Sequence, residues 1–462
     1  MKLSKTNRRV FVSAIIVGFG FLVSKVTGIL DDLILAKIIG PGPQLDAYYA
    51  AFGLPDLLFT LIAGGALAAA FIPMFSGFLA CDDRAGAWRL ASAVINTAFL
   101  AAAIVSLIVA ILAPLIVNQL FGCGLSPEQQ LITRCGFSPE QQDLTANLMR
   151  VILISTVLFS VSGIVMSALQ ANQHFFLTAL APIMYNLGIL GGVIVLGPSL
   201  GVWGPAIGVV AGALLHLLVQ VPGLIKFKAQ WSPRLGWRDP DLRRVIRLLL
   251  PRVAGMGVVQ LAAIITTSLA SQLSAGSVTA LNYGWRVMQL PETLIATAIA
   301  TAAFPTLSEF AARGDLDRLR GTLVTTLRAI LALTIPATIG LLIFGRLAVQ
   351  ILFERGEFTP ESTTLVTWAV HGYALGLIGH SMLEVSARTF YAQQDTRTPL
   401  IVAVIAMIVG ITASWGMRNV LGVGGLALAN SIGVTVEVLA LLALLRRRLN
   451  PAAVPEPPLL ET

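Results

Sequence analysis

Four ionisable residues stand inside one apolar stretch near the start of the chain. Lys25, Asp31, Asp32 and Lys37 all fall in SKVTGILDDLILAKIIG, residues 24–40. An ionised side chain in hydrocarbon costs at least ~2.5–3.5 kcal/mol, so such groups persist where they face water or one another. The chemistry this set suits is the holding of a charged solute in a polar cavity. A structural charge network between helices is the other reading of the same residues. On a helix Lys25 and Asp32 lie nearly two full turns apart and share a face, with Gly28 between them as a point of bending or close approach. Asp31 is turned away by about 100°. Lys37 points elsewhere and reaches toward the outer interface.

Further charges lie in later apolar stretches. Arg286 stands between Trp285 and Met288 with no acid within one turn, and Gln289 is its polar neighbour. A lone guanidinium needs an anion, water or a distant carboxylate, and its planar fork suits phosphate oxygens. Arg252 is either a second cavity cation or an interfacial anchor. Asp46 opens the second apolar stretch. Glu384 and Arg388 are spaced i,i+4 and predict a local salt bridge. Glu437 is isolated, and with Asn430 it is the candidate for cation coupling. The sequence has no phosphate-binding glycine loop, no HExxH and no GxSxG. His174, His216, His371 and His380 lack metal-ligand spacing, and three cysteines give no metal framework. No catalytic residue, metal or cofactor is expected, and the protein is read as a transporter rather than an enzyme. Its energy is expected from sodium, protons or the membrane potential.

The elements that must carry these residues are membrane helices. Hydrophobic residues are 56% of the chain and charged residues 12%, against about 25% charged in soluble domains. Apolar runs long enough to span ~30 Å recur throughout. We count twelve, from 10–38 and 46–79 to 397–417 and 422–445. Their Leu, Ile, Ala, Gly and Val content predicts helices rather than the alternating strands of a barrel. The first run is too long for a signal peptide and lacks its cleavage site, so it is expected to stay as a span. Pro55, Pro73, Pro291, Pro305 and Pro336 predict kinked or broken helices.

The net charge of +8 is unevenly placed. Lys2, Lys5, Arg8 and Arg9 precede the first run, seven Lys and Arg residues lie between 226 and 247, and Arg446, Arg447 and Arg448 follow the last. With twelve spans all of these share a side, whereas the opposite loops hold only Arg134, Arg346, Arg355 and Arg418. That is the positive-inside pattern, with both termini cytoplasmic. The basic runs therefore predict contact with membrane lipids and no nucleic-acid partner.

The chain repeats itself. Ala171-Asn-Gln-His174 returns as Ala392-Gln-Gln-Asp395, and Gly201-Val-Trp-Gly204 as Gly422-Val-Gly-Gly425, both 221 residues on. Two six-span halves of the same orientation make parallel repeats, the arrangement in which transporters bind substrate between halves. The boundaries read as a first lobe at 1–225, a basic cytoplasmic linker at 226–247, a second lobe at 248–448 and a disordered cytoplasmic tail at 449–462. A shorter duplication, CGLSPEQQ at 123–130 and CGFSPEQQ at 135–142, reads as a helix start with Ser as N-cap and Pro at N1. Cys123 and Cys135 can pair there or stand as products of duplication, and Cys81 is expected as a free thiol.

Six segments carry a family resemblance: SKVTGILDDLILAKIIG (24–40), DAYYAAFGLPDLL (46–58), AAAFIP (68–73), LNYGWRVMQLP (281–291), LFERGEFTPEST (352–363) and FYAQQDTRTP (390–399). With them the chain resembles the MurJ/MviN family of lipid II flippases, over about residues 10–448. The resemblance implies an all-α integral membrane protein with two six-helix lobes in a V around a central cavity, in the bacterial cytoplasmic membrane. It implies alternating access that carries an undecaprenyl-diphosphate-linked peptidoglycan precursor outward, with cell-wall assembly proteins as partners. By position, Lys25 and Arg286 would meet the diphosphate, and Asp32 and Asp46 match acidic positions of the family. The family's usual Arg before the first-span acid is Asp31 here, and its cations after LPxLL are Phe59 and Thr60. Its next acid is Gly64, and the acid near Arg286 is Gln289. The family also has two further helices beyond the twelfth, which the sequence does not include. Counting Lys25, Arg252 and Arg286 against Asp31, Asp32 and Asp46 predicts a cavity near neutrality. Two other functions fit these departures: a cation-coupled exporter of another lipid-linked glycan or amphipathic drug, and a transport-inactive partner in envelope assembly.

Overall fold

The computed structural model describes residues 5–62, 65–122, 136–236 and 239–449, with side chains for all of these except 5–18, 21, 65, 66, 69, 250–252 and 254. Cys123, Cys135 and the first of the two tandem copies lie outside the described residues, as does the tail from residue 450. Helix fills almost all of what is described. In the first half these are α1 (Lys5–Ile38), α2 (Pro43–Ala51), α3 (Gly53–Ile62), α4 (Gly65–Ala80), α5 (Arg84–Phe121), α6 (Pro139–Ala171), α7 (Phe175–Gly191), α8 (Gly197–Leu200), α9 (Trp203–Leu218) and α10 (Val221–Lys226). There follow α11 (Pro240–Ala270), α12 (Ser277–Glu292), α13 (Ala298–Ala312), α14 (Leu316–Phe353), α15 (Pro360–Ala392) and α16 (Arg397–Arg448). Among the described residues eight helical runs are long and apolar enough to cross a membrane. Polar residues in α15, His371 and His380 among them, keep it below that mark. At ~1.5 Å per residue a straight α16 would far exceed the ~30 Å of hydrocarbon. Gly422, at φ 56° and ψ −132°, breaks its 52 residues into two span-length arms. With α1, α11, α15 and both arms, the helices account for the twelve predicted runs, and the protein is an all-α, multi-pass membrane protein.

The chain divides into two compact units, Met1–Ile264 with Arg355–Thr359, and Ile265–Glu354 with Pro360–Thr462. The duplication seen in the sequence is also present in the backbone. Helices α6 and α15 each run 33 residues from a proline. Gln173 and Gln394, 221 residues apart, both take left-handed conformations after them. Gly201 repeats the backbone of Gly422, with φ 57° and ψ −132°. Helices α5 and α14 each run 38 residues from an aspartate N-cap, Asp83 and Asp315. Ser138 caps α6 with Pro139 at N1, as the second tandem copy predicts.

Within the first unit, α7 and α9 cross on glycine. A Cβ at Gly188 would lie 2.2 Å from the Gly212 Cα, so the backbones themselves touch, a packing typical of membrane helices. Phe71, Phe75 and Trp88 join α4 to α5 in a buried cluster. The basic linker is held as an extended strap along α5. Asn96 Nδ2 donates to the carbonyls of Ser232 (2.7 Å) and Arg234 (2.9 Å), and Thr97 donates to that of Leu235 at 3.0 Å. The Ser92 hydroxyl accepts the Ser232 amide at 3.1 Å, and Trp231 donates its indole N–H to Asn96 Oδ1 at 2.9 Å. These bonds satisfy backbone groups that a strand without a sheet leaves unpaired.

In the second unit, α15 and the second arm of α16 approach at small residues, and Ser431 donates its hydroxyl to the Gly372 carbonyl at 2.7 Å. The FYAQQDTRTP segment forms the corner between these helices. Asp395 accepts from the Arg397 and Thr398 amides, both at 3.0 Å, and from the Thr398 hydroxyl at 2.6 Å. It also pairs with Arg448 at the far end of α16, at 2.7 Å. Burial alone would raise the Asp395 carboxyl, but the Thr398 hydrogen bonds and the Arg448 charge outweigh it and hold the pKa at about 2. A depressed carboxylate contributes stability above its ordinary pKa and loses it as pH falls through the folded value. The corner is therefore expected at full strength above about pH 4 and to weaken toward pH 2. Comparing thermal unfolding of the detergent-solubilised protein with Asp395→Asn across that window checks this. The variant should show a flatter acid limb, and parallel curves would refute the assignment.

Candidate functional site

The first-span constellation is set by α1 and by what packs on it. Asn186, from α7, donates its amide to the Ser24 carbonyl at 2.7 Å and to Thr27 Oγ1 at 2.9 Å. Thr27 in turn donates back to the Val23 and Ser24 carbonyls. A Cβ at Gly28 would stand 3.7 Å from Asn186 Nδ2, an ordinary contact. The close approach expected there falls instead at Gly20, where a Cβ would come within 2.6 Å of Ala179 Cβ. Asn186 passed unnoticed in the sequence, although a carboxamide inside the apolar run FFLTALAPIMYNLGILG was the available signal.

At its other end α1 is closed by the ERGEFT loop. The Glu357 amide donates to the Lys37 carbonyl at 3.0 Å. Gly40 has φ +69° and a Cβ there would lie 2.4 Å from the Glu357 carbonyl oxygen. Gly356 has φ +63° and its Cβ would lie 2.3 Å from the Lys37 oxygen. Two of the segments that carry the family resemblance, 24–40 and 352–363, thus meet in one corner.

The candidate residues divide by exposure. Asp31, Asp32 and Asp46 are buried, at 7%, 5% and 2% of their accessible surface. Lys25 and Arg286 are exposed. The shared helical face of Lys25 and Asp32 is therefore not a shared environment. The side chain of Arg252 lies outside the described residues. Among the described members of the set the three acids are buried and the two cations are exposed. Asp46 sits in the first turn of α2 behind Pro43, where the helix dipole favours a carboxylate. Lys25, Asp31, Asp32 and Asp46 belong to the first unit and Arg286 to the second.

Arg286 projects from α12 between buried Val287 and Met288 and the ring of Trp285, which meets Tyr373 and His380 edge-on at 5.3 and 5.1 Å. One turn later the helix passes Pro291 and widens into a π-helical turn, Thr293–Thr297. Such widened turns loosen the backbone ladder and frequently mark functional stretches. Glu384 and Arg388 form the predicted salt bridge. Glu437, half-buried, lies close enough to Tyr391 to interact electrostatically, as do Glu384 and Arg388. Asn430 is engaged elsewhere, 3.1 Å from His380 Nε2. Two further features were missed in the sequence. Ser162, His216 and Gln220 form a buried polar knot, with Ser162 Oγ 2.5 Å from His216 Nδ1 and Gln220 donating to Ser162 at 2.8 Å. Beside it Asp56, Phe59, Phe159, Tyr185 and His216 line a cavity of about 250 Å³. The i,i+4 spacing of His216 and Gln220 was the legible sign. Cys81 is an exposed free thiol, as expected.

Residues 35–457 match the family described as lipid II flippase MurJ. Lipid II flippase MurJ of Burkholderia cenocepacia is 29% identical over 433 residues, which cover 92% of this chain and 82% of that protein. The solved structure described as lipid II flippase MurJ, inward closed conformation, matches with a TM-score of 0.79 and 26% identity, over 94% of this chain and 87% of that one. An inward-facing multidrug resistance MATE family transporter of the MOP superfamily matches with a TM-score of 0.74 at 14% identity, over 92% of this chain and 94% of that one, and shares the fold. The family match runs through both units and nearly the whole described chain, and the chain belongs to the lipid II flippase MurJ family.

Proposed function

We propose that this protein is a lipid II flippase, carrying the undecaprenyl-diphosphate-linked peptidoglycan precursor across the bacterial cytoplasmic membrane by alternating access. Family membership supports the activity. The observation that carries the substrate class is the division of charge: Lys25 and Arg286 are exposed while Asp31, Asp32 and Asp46 are buried. Exposed cations attract a diphosphate, and a guanidinium grips its oxygens in a planar fork. The basic residues at 226–247 and 446–448 support an orientation with both termini in the cytoplasm. Glu437 is our candidate for coupling to a proton or sodium ion, since it is a half-buried carboxylate with no ion-pair partner among the described residues.

The test is replacement in a cell whose own lipid II flippase is depleted. Expression of this chain should restore precursor export and growth, and Glu437→Gln should export without responding to the coupling ion. Correct insertion in the membrane with no recovery of export would overturn the proposal.

A further inference from the structure

Arg418 is among the few cations of the loops opposite the basic termini, and the transport reading makes no use of it. It ends the first arm of α16, in the corner where that arm, the turn after α11 and the start of α15 come together within the second unit. Its Nη1 donates to Gln272 Oε1. Its guanidinium carbon lies 5.5 Å from the centre of the Trp415 ring. Its Nε is buried with no hydrogen-bond partner. Among the described residues no carboxylate lies within ion-pair distance of it. Arg448, in the same unit, shows the contrast: its charge is met by Asp395 at 2.7 Å. Gln272 occupies the place where a glutamate of the same shape would neutralise Arg418. The positive charge is therefore fixed in position by a neutral amide and left uncompensated.

The space in front of it is an open cavity of about 590 Å³, lined among others by Ser274, Trp368, Arg418, Asn419 and Val420. Large apolar side chains around Arg418 are uncovered: in the cavity wall Trp368 is 58% exposed and Val420 81%, and Trp415, beside the guanidinium, is 62% exposed. A ligand that satisfies both halves of this corner is anionic at one end and apolar at the other. Indole rings beside a cation at the end of a span are the composition of the headgroup level of a bilayer. We propose that this corner binds the phosphate of an anionic membrane phospholipid through Arg418 and Asn419, with its acyl chains against Trp415 and Val420. The site is separate from the transported cargo and stands or falls independently of it.

Hydrogen–deuterium exchange of the full chain in nanodiscs tests this locally, through peptides covering 271–277 and 415–424. In phosphatidylglycerol discs these peptides should exchange at least about threefold more slowly than in phosphatidylcholine discs. Arg418→Gln should erase the difference. Gln272→Glu should erase it too while leaving Arg418 in place, because it supplies an internal counter-ion of unchanged shape. That second variant keeps the test decisive if Arg418→Gln folds poorly. Equal exchange in the two lipids, or a lipid effect that survives Gln272→Glu, would overturn the proposal. Protection by inorganic phosphate in phosphatidylcholine discs would reassign the site to a free anion and equally refute it.

Discussion

Arg286→Ala is expected to cut precursor export by roughly 10- to 100-fold with membrane expression unchanged. A hydrogen bond to a charged group contributes about 1.5–3 kcal/mol, and each 1.4 kcal/mol is a factor of ten. Arg286 is exposed while its neighbours Val287 and Met288 are buried, so truncation removes charge without opening a core. Arg286→Lys should recover part of the flux, since it restores the charge but not the fork. Lys25→Ala should act in the same direction, and Lys25→Glu more strongly. The buried acids should behave differently: Asp32→Asn is expected to change thermal stability more than flux. The readout is the amount of lipid II accessible at the outer surface, normalised to protein in the membrane. If Asp32→Asn abolished ion-dependent transport while Lys25→Ala did nothing, a cation-coupled exporter of another solute would be the better reading.

Gly356→Val should leave little folded protein to assay. The residue sits in the left-handed region, where a side chain costs roughly 1–3 kcal/mol. Its Cβ would also stand 2.3 Å from the Lys37 carbonyl oxygen, a backbone atom that can yield only by moving the end of α1. Valine adds two methyl groups to the same space. Gly40→Ala should fail for the mirror reason, against the Glu357 carbonyl. The check is the yield of monodisperse protein after detergent extraction, compared with Gly321→Ala, where a Cβ meets open space. Wild-type yield for Gly356→Val would mean that the corner does not hold the first span.

Much of the architecture was legible because it rests on local signals. Span length follows from uninterrupted apolar runs, and the Ser138-Pro139 helix start follows from cap chemistry. The 221-residue repeat announced itself at Gln173 and Gln394 and at Gly201 and Gly422, where the backbone needs unusual conformations. The candidate site was less legible. Helical spacing puts Lys25 and Asp32 on one face, but exposure is decided by which helix lies over which turn. The same limit hid the Asn186 bonds, the strap on Asn96 and the meeting of Lys37 with Glu357. Each joins residues more than a hundred positions apart, and no periodicity encodes such a pairing. The helices that qualify as spans by hydropathy show the converse: α15 falls short because of polar residues such as His371 and His380.

The loop that closes α1 also fixes an order of events in biogenesis. Arg355–Thr359 completes a unit whose other residues end at Ile264. A ribosome must therefore translate about ninety further residues before the piece that seals Lys37 and Gly40 exists. Until then the nascent first unit carries an unclosed end, and the spans from α12 to α14 enter the bilayer ahead of its completion. Maturation of this protein is consequently interleaved rather than sequential, and a chain cut after Ile264 would lack an integral part of its own first half.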